Sequence, residues 1–153
     1  MTKFFKHTVA MLALVAVLLH SIGVFAAADV IKINGIAAEI PEGMGQIRER
    51  DDRTFVPLRF VSEFLENEVW YDDAAKMAGV SSKEQIIFVQ DDNMELFSVS
   101  KLTGESVATR MDTAAYIEAE EGRMYLPIRF LAEVLGYTVG WDEPTQTVTL
   151  DKK

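Results

Sequence analysis

RTFVPLRFVSEFLENEVWYD, residues 53–72, returns as RMYLPIRFLAEVLGYTVGWD, residues 123–142. The two stretches align without a gap at an offset of 70 and share eight identities: Arg53/Arg123, Pro57/Pro127, Arg59/Arg129, Phe60/Phe130, Glu63/Glu133, Leu65/Leu135, Val69/Val139 and Asp72/Asp142. Most other pairs keep their class, as Phe55/Tyr125 and Tyr71/Trp141 do. An ungapped repeat of this length makes the chain two diverged copies of one half-unit, about residues 29–90 and 91–153.

Each copy reads as strand, helix, strand. Residues 54–56 and 124–126 are short extended segments, and Pro57 and Pro127 follow them in the first helical turn, where a missing N–H costs nothing. Leu58, Val61, Phe64 and Leu65 in one copy, and Ile128, Leu131, Val134 and Leu135 in the other, recur at helical spacing and define one apolar face each. Gly136 ends the second helix, and Asn67 takes that part in the first. Tyr137–Trp141, a turn built on Asp142 and Pro144, and Gln146–Leu150 then give a hairpin. In the first copy Asp72–Ala75 is the turn and Met77–Val80 the return strand.

Outside the repeat the signals are also those of strands. Asn34-Gly35 lies between alternating segments and predicts a tight hairpin. Residues 85–89 and 95–99 flank Asp91-Asp92-Asn93 and predict another. Lys101 to Asp112 carries the least pattern and is expected to be a mobile loop. The fold class is therefore α+β, mainly antiparallel strands curled around two short helices. A half-unit of ~60 residues is marginal for independent folding, so the two copies are expected to share one core.

Lys3 and Lys6, an apolar run from Val9 to Leu19 and the small-residue exit Val24-Phe25-Ala26 make residues 1–26 a secretory signal, cut after Ala26 or one residue later. The run of 11 falls well short of the ~20 residues that span a bilayer, so membrane contact is expected only if the signal stays uncleaved. His7 and His20 are the only histidines and both lie in the signal, and the chain has no cysteine. Residues 27–153 thus hold neither imidazole nor thiolate, and no disulfide framework. Their 24 acidic and 13 basic side chains give a charge of −11, which repels phosphate backbones and argues against nucleic acid as a partner.

Val56-Pro57-Leu58-Arg59, Leu126-Pro127-Ile128-Arg129, the helix acids Glu63 and Glu133, Val139-Gly140-Trp141-Asp142 and the Asn34-Gly35 hairpin together resemble the copper amine oxidase N-terminal-like, or stalk, domain of secreted bacterial proteins. The resemblance spans about residues 29–151, nearly all of the expected mature chain. It departs at Tyr71, where the family carries Trp, and at Glu66-Asn67, where it carries Leu-Gly. It implies an antiparallel sheet curled around a helix, set apart from an enzyme's catalytic body, and it implies no catalysis.

The residue inventory points the same way. Copper and zinc sites and nucleophilic His-dependent systems need imidazole or thiolate, so no catalytic residue, cofactor or metal ligand is expected. Gly43-Met44-Gly45 is too short for a phosphate loop. Asp51-Asp52, Asp72-Asp73, Asp91-Asp92 and Glu118–Glu121 lack calcium-loop spacing and read as solvated turns. Trp70, Tyr71, Tyr137 and Trp141 are the candidate ligand-contact aromatics, although alternation places Tyr137, Val139 and Trp141 on one face suited to core packing. Arg59–Glu63 and Arg129–Glu133 stand four apart on their helices, positioned for ion pairs or for holding strand carbonyls. The expected function is a non-catalytic extracellular binding or spacer module at the bacterial cell envelope, its partner a protein or wall polymer. The alternative is an accessory carbohydrate-binding protein using exposed aromatics.

Overall fold

The computed structural model describes Ala28 and residues 30–153; the signal segment 1–26 and its cleavage point lie outside the described residues. In chain order the strands are β1 (Val30–Ile33), β2 (Ile36–Ala38), β3 (Arg48–Arg50), β4 (Arg53–Pro57), β5 (Glu68–Asp72), β6 (Met77–Ser81), β7 (Gln85–Gln90), β8 (Asn93–Ser100), β9 (Ser106–Glu118), β10 (Arg123–Pro127), β11 (Tyr137–Asp142) and β12 (Thr147–Lys152). Helix α1 (Leu58–Phe64) follows β4, and α2 (Ile128–Val134) follows β10.

The repeated sequences meet at the centre of the molecule. β4 pairs antiparallel with β10, Phe55 opposite Pro127, Val56 opposite Leu126 and Pro57 opposite Tyr125. Exchanging residues offset by 70 turns this set of pairs into itself, so the register is symmetric about the fully buried Val56–Leu126 pair. Eight strands in the order β3-β4-β10-β9-β8-β7-β6-β5 form one curled sheet, and β11-β12-β1-β2 form a second. All pairings are antiparallel except β1 with β12, which run parallel from Val30↔Thr147 to Ile33↔Leu150. This one exception to the antiparallel expectation arises because β1 is the first strand of its hairpin and lies beside the last strand of the chain. Lys152 N–H donates to Asn34 Oδ1 at 3.0 Å across that junction.

Both helices have seven residues, too few to persist alone in water. Burial holds them: Leu58, Phe60 and Val61 of α1 and Ile128, Leu131 and Ala132 of α2 face inward. Pro57 and Pro127 sit one position earlier than the sequence places them, as extended N-caps with φ of −61° and −62° that also end their strands. The fixed proline φ suits both roles. At the helix ends Gly136 has φ +86°, as expected, but its counterpart is Glu66 at +59° rather than Asn67. Asn67 instead binds back to Ser62 O through its backbone N–H at 2.9 Å and its amide at 3.2 Å.

The expected loop 101–112 is a loop only as far as Glu105. From Ser106 onward it is the 13-residue strand β9, paired to β8 through Glu95↔Arg110 and Val99↔Ser106, and to β10 through Tyr125↔Tyr116. Exposed Ser106, Val107 and Ala108 and the polar Thr109 and Arg110 break the apolar alternation, and only Met111 and Ala115 of this strand are buried. Residues 106–110 are ordered by pairing with β8, and residues 116–118 of the same strand by pairing with β10. The buried apolar side chains of both halves, from Ile31, Leu58 and Ile87 to Leu96, Leu131 and Leu150, form one continuous cluster.

Candidate functional site

The symmetric centre creates two comparable clefts. In each, the Pro-X-Arg start of one helix and the aromatic residue of the following strand face the arginine that opens the other central strand. One is lined by Pro127, Arg129, Phe130 and Trp141 together with Arg53, Glu49, Asp52 and Asp112, and has a volume of about 400 Å³. The other is lined by Pro57, Arg59 and Tyr71 together with Arg123, Glu121, Gly43 and Met44, and holds about 270 Å³. Arg129, Trp141 and Arg53 of the first correspond, at the offset of 70, to Arg59, Tyr71 and Arg123 of the second.

The Tyr71 cleft is the smaller, and its arginines are engaged by the chain itself. Arg59 donates to Glu63 at 3.0 Å and lies 5.0 Å above the Tyr71 ring. Burial raises the Tyr71 phenol above its ordinary pKa, against the opposing pull of Arg59. Arg123 donates to the carbonyl of Gly43 and, at 3.2 Å, to that of Glu121. Gly45 (φ +93°) brings this loop so close that a Cβ there would sit 2.5 Å from Tyr125 Oη and 2.8 Å from Pro57 Cγ. Beside it a layered stack pins β3 to β9 and β10. Arg50 lies 4.8 Å from the Tyr116 ring, Tyr116 stacks on Tyr125 at 5.5 Å, and Arg48 lies 5.1 Å from Tyr125. Tyr125 donates to Glu121 at 2.7 Å, and Arg48 reaches the same carboxylate as well as Glu118. These contacts, the Tyr125 bond first, hold Glu121 below the usual carboxylate range.

The Trp141 cleft is the larger. Arg53 is engaged by Asp112 at 2.6 Å and by the Asp52 carbonyl at 3.0 Å. Among the described residues Arg129 forms no ion pair, so the Arg59–Glu63 bridge has no counterpart between Arg129 and Glu133. Trp141 is 43% exposed. Thus the arginines that bind backbone carbonyls are Arg53 and Arg123, while Arg59 and Arg129 serve as cleft walls. Their identity across the repeat, shared by Phe130, was the available signal; Asp112 carried none.

The four sequence-selected aromatics do not converge on one platform. Tyr137 is buried and Tyr71 is half-buried beneath Arg59. Trp141 belongs to the cleft. Trp70, 40% exposed, lies on the other sheet, its indole directly over Gly79 and edge-on to Phe88 at 6.2 Å. The pairing Trp70↔Gly79↔Phe88↔Phe97 continues this as one row across β5 to β8, ending on a 41% exposed Phe97 that alternation alone did not mark.

The acidic pairs lie in turns. Asp51 and Asp52 form the left-handed β3–β4 turn at φ +52° and +56°. Asp72 Oδ1 accepts from the N–H groups of Ala74 and Ala75, each at 3.0 Å. Asp91 accepts from Ile117 N–H at 2.8 Å, fixing β9 to the β7–β8 turn. Among the described residues no three His, Cys, Asp or Glu side chains converge as a metal site.

A curled, mainly antiparallel sheet with two short helices, and clefts walled by arginine and aromatic side chains, define a β-rich module. The chain belongs to the Copper amine oxidase N-terminal domain family, whose model matches residues 32–150. That family is a non-catalytic domain. No curated protein and no solved structure gives a match.

Proposed function

We propose that this chain is a non-catalytic secreted binding or spacer module acting at the bacterial cell envelope, with a protein or wall polymer as its partner. The observation that carries this reading is the absence of histidine and cysteine from residue 27 onward, in a chain whose family is a non-catalytic domain. The continuous core supports a rigid spacer, since two marginal halves become one body by pairing β4 with β10. The shared offset of 70 in strand, helix and cleft supports descent from a duplicated half-unit. Incubating the purified domain with intact cell walls, and comparing the bound fraction with that on protease-stripped walls, tests the proposal. Saturable retention on either surface is expected; equal, non-saturating recovery from walls and from an inert resin would contradict it.

The alternative, an accessory carbohydrate-binding protein using exposed aromatics, is favoured by one specific observation. Neither tryptophan is enclosed by the core: Trp70 is 40% and Trp141 43% exposed. A spacer alone has no use for exposed indole surface, which carries a desolvation incentive to be covered.

A further inference from the structure

We propose that the Trp141 cleft binds an uncharged pyranose unit of a glycan, an inference that rests on the carbohydrate-binding reading and gives it a site. In the Tyr71 cleft the aromatic face lies under Arg59, that guanidinium is bridged to Glu63, and Arg123 holds the chain's own Gly43 carbonyl. In the Trp141 cleft the equivalent aromatic is a larger indole, 43% exposed, and the equivalent of Arg59 is Arg129, with no ion pair among the described residues. Only this side has both a free aromatic face and a free donor group.

The polar wall selects the ligand class. Arg53 and Arg129 face Glu49, Asp52 and Asp112, so carboxylates outnumber guanidiniums and an anionic ligand gains no net attraction. A purely apolar ligand would strip water from these charges without replacing its hydrogen bonds. A sugar ring answers both demands. Its C–H face covers the indole, and each hydroxyl both donates and accepts, matching carboxylate acceptors and guanidinium donors set side by side. The volume of about 400 Å³ falls in the ~300–1,000 Å³ range of small-ligand sites. Arg129 is the orienting donor, Trp141 the stacking face, and Glu49 and Asp52 the hydroxyl acceptors.

The chain has two tryptophans, so Trp70→Phe leaves Trp141 as the only fluorescent reporter in the cleft. Titrate that variant with β-1,4-linked N-acetylglucosamine tetrasaccharide, cellotetraose and, as the charged comparison, tetragalacturonate. Follow wild type, Trp141→Phe, Arg129→Ala and Arg129→Lys by calorimetry under the same conditions, with thermal unfolding as the check of fold. A saturable change in Trp141 emission with a neutral tetrasaccharide is expected. Affinity should fall at least ~10-fold in Trp141→Phe and Arg129→Ala, about 1.4 kcal/mol, with partial recovery in Arg129→Lys. Three results overturn the proposal. Neutral-glycan binding that is undiminished in Trp141→Phe removes the cleft but leaves carbohydrate binding standing, on another surface. A response to tetragalacturonate alone removes the uncharged ligand class. No binding of any glycan by the wild type removes the carbohydrate reading together with its site.

Discussion

The two halves of the molecule share a frame and differ in how the strand preceding the centre is built. In the second half that strand is β9, which runs unbroken from β8 to β10 and fuses neighbouring strands into the eight-stranded sheet. In the first half the corresponding stretch is split into β2 and β3 by residues 39–47, and the sheets part there. The intervening loop brings the Gly43 carbonyl to Arg123 at the Tyr71 cleft, whereas β9 supplies only the Asp112 carboxylate to the Trp141 cleft.

Cross-strand pairs related by the offset of 70 are filled in opposite ways. Trp70 lies over Gly79 in the first half; at the equivalent pair of the second half Gly140 lies under Thr149. A Cβ on Gly79 would meet the indole at 2.1 Å, and one on Gly140 would meet Thr149 Oγ1 at 2.5 Å. The glycine lies on opposite strands of the two pairs, and each pair is filled by the side chain across from it.

The most severe way to break the likeness is to empty the core on one side. Leu58 and Leu131 are fully buried on α1 and α2, and Leu→Ala at either should cost ~2–5 kcal/mol by urea unfolding. Each should lower one transition for the whole domain; loss of order confined to the mutated half would show that the halves are energetically separate.

A milder test sharpens the glycine contrast. Gly79→Ala should cost ~1–3 kcal/mol and shift Trp70 emission to the red as the indole is displaced into water. Trp70→Phe combined with Gly79→Ala should lose less than the sum of the two single changes, because the clash has gone. Additive losses would mean that Trp70 and Gly79 do not constrain each other.

The smallest expected effect lies at the helix exits. Gly136→Ala at φ +86° should cost ~1 kcal/mol, while Glu66→Gly at φ +59° should gain about 0.5 kcal/mol, since left-handed backbone strains any residue with a Cβ. Thermal unfolding of the two variants compares them directly, and equal signs would contradict the equivalence of the exits.

What the sequence revealed was the part repeated locally. The ungapped offset exposed both helices, their prolines and the hairpins that follow, because each is encoded by contiguous periodicity and turn chemistry. What it hid was settled by distant pairing. Residues 106–110 of β9 owe their order to pairing with β8, so the sparse apolar alternation of Lys101–Asp112 read as a loop. Glu66 is driven left-handed by the chain's return to β5, so the better turn former beside it, Asn67, was the wrong choice. The aromatic candidates were visible, but not that Tyr137 is buried or that Trp70 and Trp141 occupy different sheets. The Trp141 cleft itself depends on Arg53 and Asp112, which stand 59 residues apart in the chain.

One continuous core joins the two halves around the β4–β10 pair, and the two tryptophans report on it separately. Trp70 lies in the first half and Trp141 in the second, so Trp141→Phe and Trp70→Phe each leave a reporter on one half. Urea unfolding of each variant should be followed by tryptophan emission and by far-ultraviolet circular dichroism together. Within each variant the two signals should trace one coincident transition with the same midpoint and slope. Emission that completes its change at a lower urea concentration than the circular dichroism, in either variant, would contradict a single shared core.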